Sequence, residues 1–213
     1  METAVAWIPL AMSDTEAPDG DARLMLQFKA GDLGAFELLF SRHSRAMINF
    51  AYRFVRNREV AEELAQEIFI KVHDAGPSYR AEAKFTTWLY RIATNVCLNE
   101  VRRPHFRASH QSLDAPVGDD PDDRPLQIED TRSPNPEVAL QRSALGAVLR
   151  RALGALPEKQ RAAFILNKYQ ELSYAEVAEV MRTSEKAVKS LIHRAKEALA
   201  ERLAPQLEEL VMK

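Results

Sequence analysis

Apolar residues in the first half of the chain recur every three or four positions, which is the spacing of one face of an α-helix. This periodicity predicts helices over 21–30, 35–56, 58–75 and 85–103. The turn at 31–34, which contains two glycines, separates the first two helices. Asn57 is placed to cap the third helix, and Pro104 ends the fourth. The first half is therefore expected to be a bundle of four helices.

The second half carries the same helical periodicity, over 136–155, 158–169, 173–181 and 185–203. Ser173 and Glu176 have the spacing of a capping box, with Leu172 and Val177 as its hydrophobic staple. The turn 182–184 follows, and its last residue is a serine that can cap the next helix. A short helix, a three-residue turn and a longer helix are typical of a helix-turn-helix.

The helical period disappears between the two halves. Residues 104–137 contain six prolines and the acidic run Asp119-Asp120-Pro121-Asp122-Asp123. This composition predicts an extended and flexible linker. We therefore expect an all-α fold of two small helical domains, joined by a flexible acidic linker, with the helix-turn-helix in the second. The expected boundaries are a disordered acidic N-terminus at 1–20, domains at 21–103 and 138–204, the linker at 104–137 and a C-terminal tail at 205–213.

Composition narrows the class of protein. The single cysteine, Cys97, excludes an internal disulfide and fits a reducing compartment. No apolar run approaches the ~20 residues of a membrane span, and no basic residue precedes Arg23, unlike in a signal peptide. We expect a soluble cytoplasmic protein without membrane insertion. The five histidines and Cys97 lack metal-ligand spacing, and neither a phosphate-binding loop nor a nucleophile elbow is present, so no metal, cofactor or enzymatic activity is expected.

The net charge of −2 is unevenly distributed. Residues 1–20 carry −4 and residues 104–137 carry −5, so the two helical blocks together carry +7. A mildly basic block binds nucleic acid only when its charge is gathered on one face. The charge total alone therefore does not identify a partner.

The longer helix of the helix-turn-helix gathers its charge in this way. Its inward row is Val188, Ile192, Ala195 and Leu199, and Ala178 is small enough for the helix crossing. The opposite face carries Lys186, Lys189, Ser190, His193, Arg194 and Lys196. These side chains suit phosphates and base edges in a major groove. The alternative is the solvated face of an ordinary three-helix bundle.

The fourth helix of the first block predicts a second surface. Its inward stripe is Phe85, Trp88, Leu89, Ile92 and Val96, where the two aromatic residues are expected to be core. The outward positions are Tyr90, Arg91, Thr94, Asn95, Asn99 and Arg102, and the preceding loop holds Tyr79, Arg80 and Lys84. Aromatic, amide and basic groups together suit single-stranded or flipped bases.

These residues resemble a known family. Residues 85–95 (FTTWLYRIATN) closely resemble the promoter-melting helix of extracytoplasmic-function (ECF) sigma factors, and 59–69 (EVAEELAQEIF) resemble their polymerase-binding helix. Residues 156–161, 172–179 and 188–195 resemble the second domain of the same family. The match runs in the family's order from about residue 21 to 203.

The resemblance implies an alternative sigma factor that directs core RNA polymerase to stress-type promoters. It implies polymerase contacts at Glu62, Glu63, Gln66 and Glu67. It implies contacts to the −10 element at Tyr79, Arg80, Lys84, Arg91, Asn95, Asn99 and Arg102. It implies contacts to the −35 element at Lys186, Lys189, Ser190, His193, Arg194 and Lys196. The acidic linker would lie in the RNA exit channel.

The resemblance also implies control by an anti-sigma factor. The sequence offers no obvious autoinhibitory device, so a helical partner that wedges between the two domains is expected. Zinc, if present in that complex, would belong to the partner.

Five positions depart from the family pattern. Leu191 stands where arginine is usual, and Arg182 replaces the usual turn glycine. Lys186 and Ala187 replace a common Gly-Thr pair, and His73 stands where an aromatic residue is common. These departures bear on the promoter sequence that is recognised.

Two other classes of protein share part of this sequence pattern. A stand-alone helix-turn-helix regulator would bind duplex DNA unaided, but it needs a receiver or ligand-binding domain upstream, and the first block has no strands of such a fold. A sigma mimic that sequesters another factor would not need the basic face at 186–196.

Overall fold

The structure, a computed structural model, describes residues 19–104 and 146–211, with side chains through residue 205. The helices of these residues are α1 (Gly20–Lys29), α2 (Leu33–Val55), α3 (Arg58–Ala75), α4 (Phe85–Arg102), α5 (146–154), α6 (Glu158–Lys168), α7 (Tyr174–Met181) and α8 (Glu185–Val211). A short 3-10 turn, Gly76–Ser78, follows α3. The described part has no strand, and the expected all-α class is confirmed. Nearly all of the predicted linker lies outside the described residues, as does the start of the helix predicted at 136.

Side-chain caps set the start of each of the first three helices. Asp19 accepts a hydrogen bond from the Ala22 N–H at 2.6 Å. Asn57 accepts one from the Val60 N–H at 3.0 Å, which confirms its predicted role. Such caps satisfy N–H groups that have no partner within the helix.

Helix α2 starts two residues earlier than the hydrophobic pattern predicted. The carboxylate of Asp32 accepts from the Ala35 N–H at 3.3 Å, so the helix begins at Leu33. It ends at Val55, and the next residue, Arg56, adopts a left-handed conformation with φ 56°.

Helices α1 to α4 form one bundle with an aromatic core. Phe50, Phe54 and Phe85 are fully buried, and the rings of Phe50 and Phe54 lie 5.1 Å apart. Cys97 packs in the same core with no exposed surface, as a small apolar side chain would. His73 takes the place of an aromatic residue, with its ring 5.1 Å from that of Phe28.

Helices α5 to α8 form the second bundle, in which the predicted capping box is confirmed. The Glu176 N–H donates to Ser173 Oγ at 3.2 Å, and the Ser173 N–H donates back to the Glu176 carboxylate at 2.8 Å. Both staple residues are buried. Arg182 ends α7 in the left-handed conformation, with φ 50°.

Helix α8 is longer than predicted. The sequence pattern predicted its end near Leu203. The helix instead passes through Pro205 and ends at Val211. Residues 206–210 are good helix formers, so the helix continues even though Pro205 has no N–H to donate to the preceding turn.

Removing the capping hydroxyl is expected to destabilise the second bundle. Ser173→Ala should lower the free energy of unfolding by about 1 kcal/mol, because the Glu176 N–H loses its acceptor at the start of α7. Urea denaturation followed by circular dichroism measures this change. Ser190→Ala, at an exposed position within α8, is the matched control and should change stability by less than about 0.5 kcal/mol.

The two bundles pack directly against each other. Helix α4 contacts α2 and α3 of its own bundle and α6 and α7 of the other, and one hydrophobic core runs through both. Two residues predicted to face outward from α4 are therefore covered: Tyr90 is 8% exposed and Thr94 is 2% exposed. The expectation of an outward position is wrong for both, because α4 has packing partners on more than one side.

Candidate nucleic-acid and polymerase interfaces

The outer face of α8 is a basic surface held in place by a buried row. Val188, Ile192, Ala195 and Leu199 are buried, as predicted, and fix the rotation of the helix. All six residues predicted on the opposite face are exposed: Lys186, Lys189, Ser190, His193, Arg194 and Lys196. The Lys189 ammonium lies 5.7 Å from the centre of the Tyr174 ring, which ties this face to α7. The arrangement presents cationic and hydroxyl donors to a ligand that approaches from solvent.

Leu191 lies at the edge of the basic face, at the position where the resemblance described above implies an arginine. Its side chain is half-buried and packs against the hydrophobic core. The residue therefore contributes to packing, and the basic face lacks one cation there.

Two residues of the predicted −10 surface on α4 have amide side chains that are open to solvent. Asn95 and Asn99 are both exposed, one helical turn apart. Arg91 is half-buried, one turn before Asn95. Arg80 is exposed in the preceding loop, with a guanidinium nitrogen 3.6 Å from the Glu82 carboxylate. These side chains are at least partly accessible to a ligand that approaches from solvent.

The two remaining cations of the predicted −10 surface are bound to the second bundle. Lys84 Nζ lies 2.9 Å from the Glu176 carboxylate. Arg102 Nε donates to both carboxylate oxygens of Glu158, at 3.0 and 2.9 Å. In this conformation both side chains face protein carboxylates.

Tyr79 does not lie on the exposed −10 surface to which the sequence assigned it. Its side chain is 2% exposed, with its ring 4.9 Å from that of Trp88 and its hydroxyl buried without a hydrogen-bond partner. Burial, with a smaller contribution from Asp19, raises the pKa of Tyr79 to about 12. A tyrosine so placed cannot stack on a base in this conformation, and its role is in the core.

Helix α3 presents the predicted acidic surface. Glu63 and Gln66 are exposed. Glu62 and Glu67 are held by cations on the same helix, at 2.9 Å from Arg58 and 3.3 Å from Lys71. The surface is therefore polar and partly ordered.

An apolar groove beside this acidic surface was not predicted. It has a volume of about 330 Å³ and is lined by Phe36, Phe40, Gln66, Phe69, Ile70 and His73. Phe40 is 45% exposed and Ile70 is 61% exposed. One signal was present in the sequence. Ile68 and Ile70 are two positions apart, so they cannot both face the core of one helix.

The second bundle contributes one further residue that sequence reasoning missed. Arg161 is only 5% exposed and reaches into the first bundle, where its Nη1 donates to the Phe54 carbonyl oxygen at 3.2 Å. Desolvation by burial, opposed chiefly by the nearby Glu158 carboxylate, lowers the pKa of this guanidinium.

Within 19–104 and 146–211 no group of three or more His, Cys, Asp or Glu side chains is arranged to hold a metal ion. No helix in the same ranges is long and apolar enough to cross a membrane.

Two parts of the chain match known sequence families. Residues 39–106 match sigma-70 region 2, and residues 147–199 match sigma-70 region 4. The chain is 33% identical to the RNA polymerase sigma-H factor of Pseudomonas aeruginosa, over 89% of this chain and 96% of that one. It is 32% identical to the ECF RNA polymerase sigma factor SigW of Bacillus subtilis, over 83% of this chain and 93% of the relative. The same identity relates it to the ECF RNA polymerase sigma-E factor of Escherichia coli, over 87% and 95% of the two chains.

Solved structures share the fold. One is CnrH in complex with the cytosolic domain of CnrY, with a TM-score of 0.62, 24% identity and coverage of 88% of this chain and 99% of CnrH. Another is the sigma factor RpoE in complex with the anti-sigma factor NepR from Bartonella quintana, with a TM-score of 0.57, 21% identity and coverage of 79% and 96%.

Proposed function

The chain belongs to the ECF sigma factors of the sigma-70 family, which are transcription initiation factors, and we propose the surfaces through which it performs that function. The basic face of α8 binds the −35 element as duplex. The exposed amides of α4 bind the −10 element after the strands separate. Helix α3 and the groove beside it bind core RNA polymerase, in the cytoplasm, where the polymerase acts.

The proposal is supported by two chemically different exposed surfaces on one chain. Six donors lie exposed on one face of α8, which suits phosphates and base edges in a major groove. Asn95 and Asn99 lie exposed on another helix, where amides can bond the edges of unpaired bases. A factor that reads duplex and holds single strands needs both surfaces.

The polymerase contact is proposed from the chemistry of α3. Glu63 and Gln66 supply polar contacts for the coiled coil of the largest polymerase subunit. Phe40 and Ile70 supply apolar contacts immediately beside them. An apolar centre with a polar rim is the usual anatomy of a protein interface.

Run-off transcription with purified core polymerase tests the proposal directly. The chain should produce a transcript from a promoter of its own host only when core polymerase is present. A stand-alone regulator would instead shift the same duplex DNA in a gel without polymerase. Transcript formation together with no shift by the chain alone supports the sigma-factor function.

Substitutions on the outer face of α8 should weaken promoter binding. Arg194→Ala is expected to cost about 1–3 kcal/mol if the guanidinium bonds a base edge, and less if it contacts a phosphate. Lys189→Ala should reduce affinity more evenly across promoter sequences. Run-off transcription at limiting chain concentration measures both effects.

Arg202→Ala is the matched control, because Arg202 is an exposed cation of the same helix beyond the basic face. Its transcript yield should stay within about twofold of the wild type. Full activity of both Arg194→Ala and Lys189→Ala would show that α8 does not bind the −35 element.

An anti-sigma factor is the partner we propose for control. The relatives of known structure include a sigma factor crystallised with an anti-sigma factor. Purification of the chain from its host, followed by mass spectrometry of what accompanies it, identifies such a partner. Zinc found in that complex would be assigned to the partner. The acidic linker is proposed to lie in the RNA exit channel of the polymerase.

A further inference from the structure

We propose that Arg182, in the turn between α7 and α8, binds a phosphate of the promoter DNA, in addition to the contacts made by the basic face of α8. Its ligand is the sugar-phosphate backbone of the duplex, at the edge of the groove that α8 enters. The inference deepens the proposed function of α8 and rests on it. A phosphate contact orients the protein on DNA without reading the bases, so Arg182 should act on all promoters alike.

The backbone of Arg182 adopts a conformation that suits glycine. Its φ is 50° and its ψ is 53°, in the left-handed region. The Arg182 N–H donates to the Glu179 carbonyl oxygen at 3.2 Å, and the Thr183 N–H donates to the Ala178 carbonyl oxygen at 2.9 Å. This pair of bonds is a Schellman motif, which closes the C-terminal end of a helix. The end of α7 therefore requires a left-handed residue at position 182, whatever its side chain.

An arginine in this conformation has a cost that glycine would avoid. A Cβ atom disfavours left-handed backbone, and among residues that carry one asparagine tolerates it best. The Arg182 side chain is exposed, and it forms no hydrogen bond or ion pair with the part of the chain whose side chains are described. Its guanidinium is therefore available to a ligand outside the chain.

The turn places this guanidinium beside the DNA-facing surface. Ser184 caps α8 by accepting from the Ala187 N–H at 3.2 Å. It follows Arg182 by two residues, so their Cα atoms are at most about 7 Å apart. In a helix-turn-helix the first residues of the second helix meet base edges, and the first helix crosses the phosphate backbone. A side chain in the turn between the two helices is therefore closer to phosphates than to bases.

The turn is held by a common core, which gives the Arg182 side chain a fixed starting point. Ala178 and Val180 of α7 and Val188 and Ile192 of α8 are buried together. A group on a rigid support loses less conformational freedom when it binds. A guanidinium also presents planar N–H donors that match the oxygens of a phosphate.

A structural role for the guanidinium is the alternative. Helix α7 has no basic residue in its last turn, and Arg182 immediately follows that turn. A cation at the C-terminal end of a helix interacts favourably with the partial negative charge there. The two roles are distinguished by the affinity for promoter DNA. Removal of the cation should lower that affinity if Arg182 binds a phosphate, and should change only the stability of the chain if it serves α7.

Binding of the complete holoenzyme to DNA tests the proposal. The full chain is assembled with core RNA polymerase and titrated against a fluorescent promoter fragment of its host at several KCl concentrations. Arg182→Gly and Arg182→Asn both accept left-handed backbone and remove the cation. Each should weaken binding about three- to tenfold at low salt and lower the slope of log affinity against log salt by about one. Arg182→Lys keeps the charge and should stay within about twofold of the wild type.

Glu171→Gly is the matched control for the backbone. Glu171 lies in the same bundle, is exposed, and has a φ of 56°, so glycine relieves the same kind of conformation there. This variant loses no cation and should keep its affinity for the promoter fragment. Thermal unfolding followed by circular dichroism should show that both glycine variants are at least as stable as the wild type.

Neutral linkages in the DNA test whether a phosphate is the ligand. Promoter fragments that carry single methylphosphonate linkages across the −35 element are compared for the wild type and Arg182→Gly. At one linkage the wild type should lose affinity while the variant loses nothing further, because the variant already lacks that charge pair. A linkage of this kind would identify the phosphate that Arg182 binds.

Two results would overturn the phosphate contact. One is an unchanged affinity and salt slope in both Arg182→Gly and Arg182→Asn, and the other is an equal loss of affinity in Glu171→Gly. Arg194→Ala and Lys189→Ala, measured in the same titration, separate this inference from the function on which it rests. If those two variants lose affinity and the Arg182 variants do not, only the phosphate contact is wrong. If all of them keep full affinity, the −35 function of α8 is wrong as well.

Discussion

Replacing Phe40 and Ile70 together by glutamate is expected to weaken binding to core RNA polymerase by at least about 100-fold. Both side chains line the apolar groove beside α3 and are 45% and 61% exposed. An apolar anchor in a protein interface commonly contributes about 2 kcal/mol, and two such losses multiply in the affinity. Because the side chains are exposed, the substitutions should leave the fold intact.

The matched control is Leu38→Glu, also on α2 and 51% exposed but outside the groove. Biolayer interferometry with immobilised core polymerase measures the affinities, and thermal unfolding by circular dichroism reports the fold of each variant. An affinity of the double variant within about twofold of the control would show that the groove is not a polymerase contact.

Replacing Asn95 and Asn99 together by alanine is expected to reduce open promoter complexes by about 10- to 100-fold while leaving closed complexes nearly unchanged. Their exposed amides would meet base edges only after the strands separate, and each lost contact is expected to cost about 1 kcal/mol or more. Permanganate footprinting measures the open complex through the reactivity of unpaired thymines, and a gel shift with core polymerase measures the closed one.

A template whose −10 region is already unpaired distinguishes two causes of lost activity in the double variant, a defect in strand separation and a structural defect of the protein. It supplies the energy of strand separation, so the double variant should recover much of its activity there. Asp74→Ala, an exposed polar substitution on α3, should behave as the wild type on both templates. A double variant that the pre-melted template does not rescue would have a structural defect.

Local chemistry made the secondary structure predictable. Helix α3 lies at the predicted positions, because Asn57 caps its first turn and a Gly-Pro pair follows its last residue. The capping box at Ser173 and the serine cap of α8 are similarly local, since each involves residues only three positions apart. Signals of this kind depend on neighbouring residues and do not need the tertiary fold.

Tertiary packing limited what the sequence pattern could predict about exposure. Tyr90 and Thr94 lie on the face of α4 that the pattern assigns to solvent, yet a second bundle covers α4. Tyr79 follows a 3-10 turn, and no periodicity of its own segment places it against Trp88. Contacts of this kind join distant parts of the chain, and hydrophobic periodicity describes only one element at a time.

The two nucleic-acid surfaces were predictable to different degrees. The basic face of α8 is set by one buried row on one helix, so the helical period alone gave its six residues. The −10 surface depends on how the loop before α4 packs and on what the second bundle covers. The apolar groove needs the crossing of α2 and α3 to be known, because its lining comes from both helices.

The burial of Cys97 decides how the chain can respond to oxidants. A thiol reacts with peroxide as the thiolate and only where the oxidant can reach it. Cys97 has no exposed surface, and desolvation raises the pKa of its thiol well above the ordinary value, despite an opposing contribution from Arg161. It is the only cysteine of the chain, so no internal disulfide can form either. The folded protein therefore cannot sense an oxidant through its thiol. A thiol-based oxidative signal would have to be detected by another molecule that then acts on this protein.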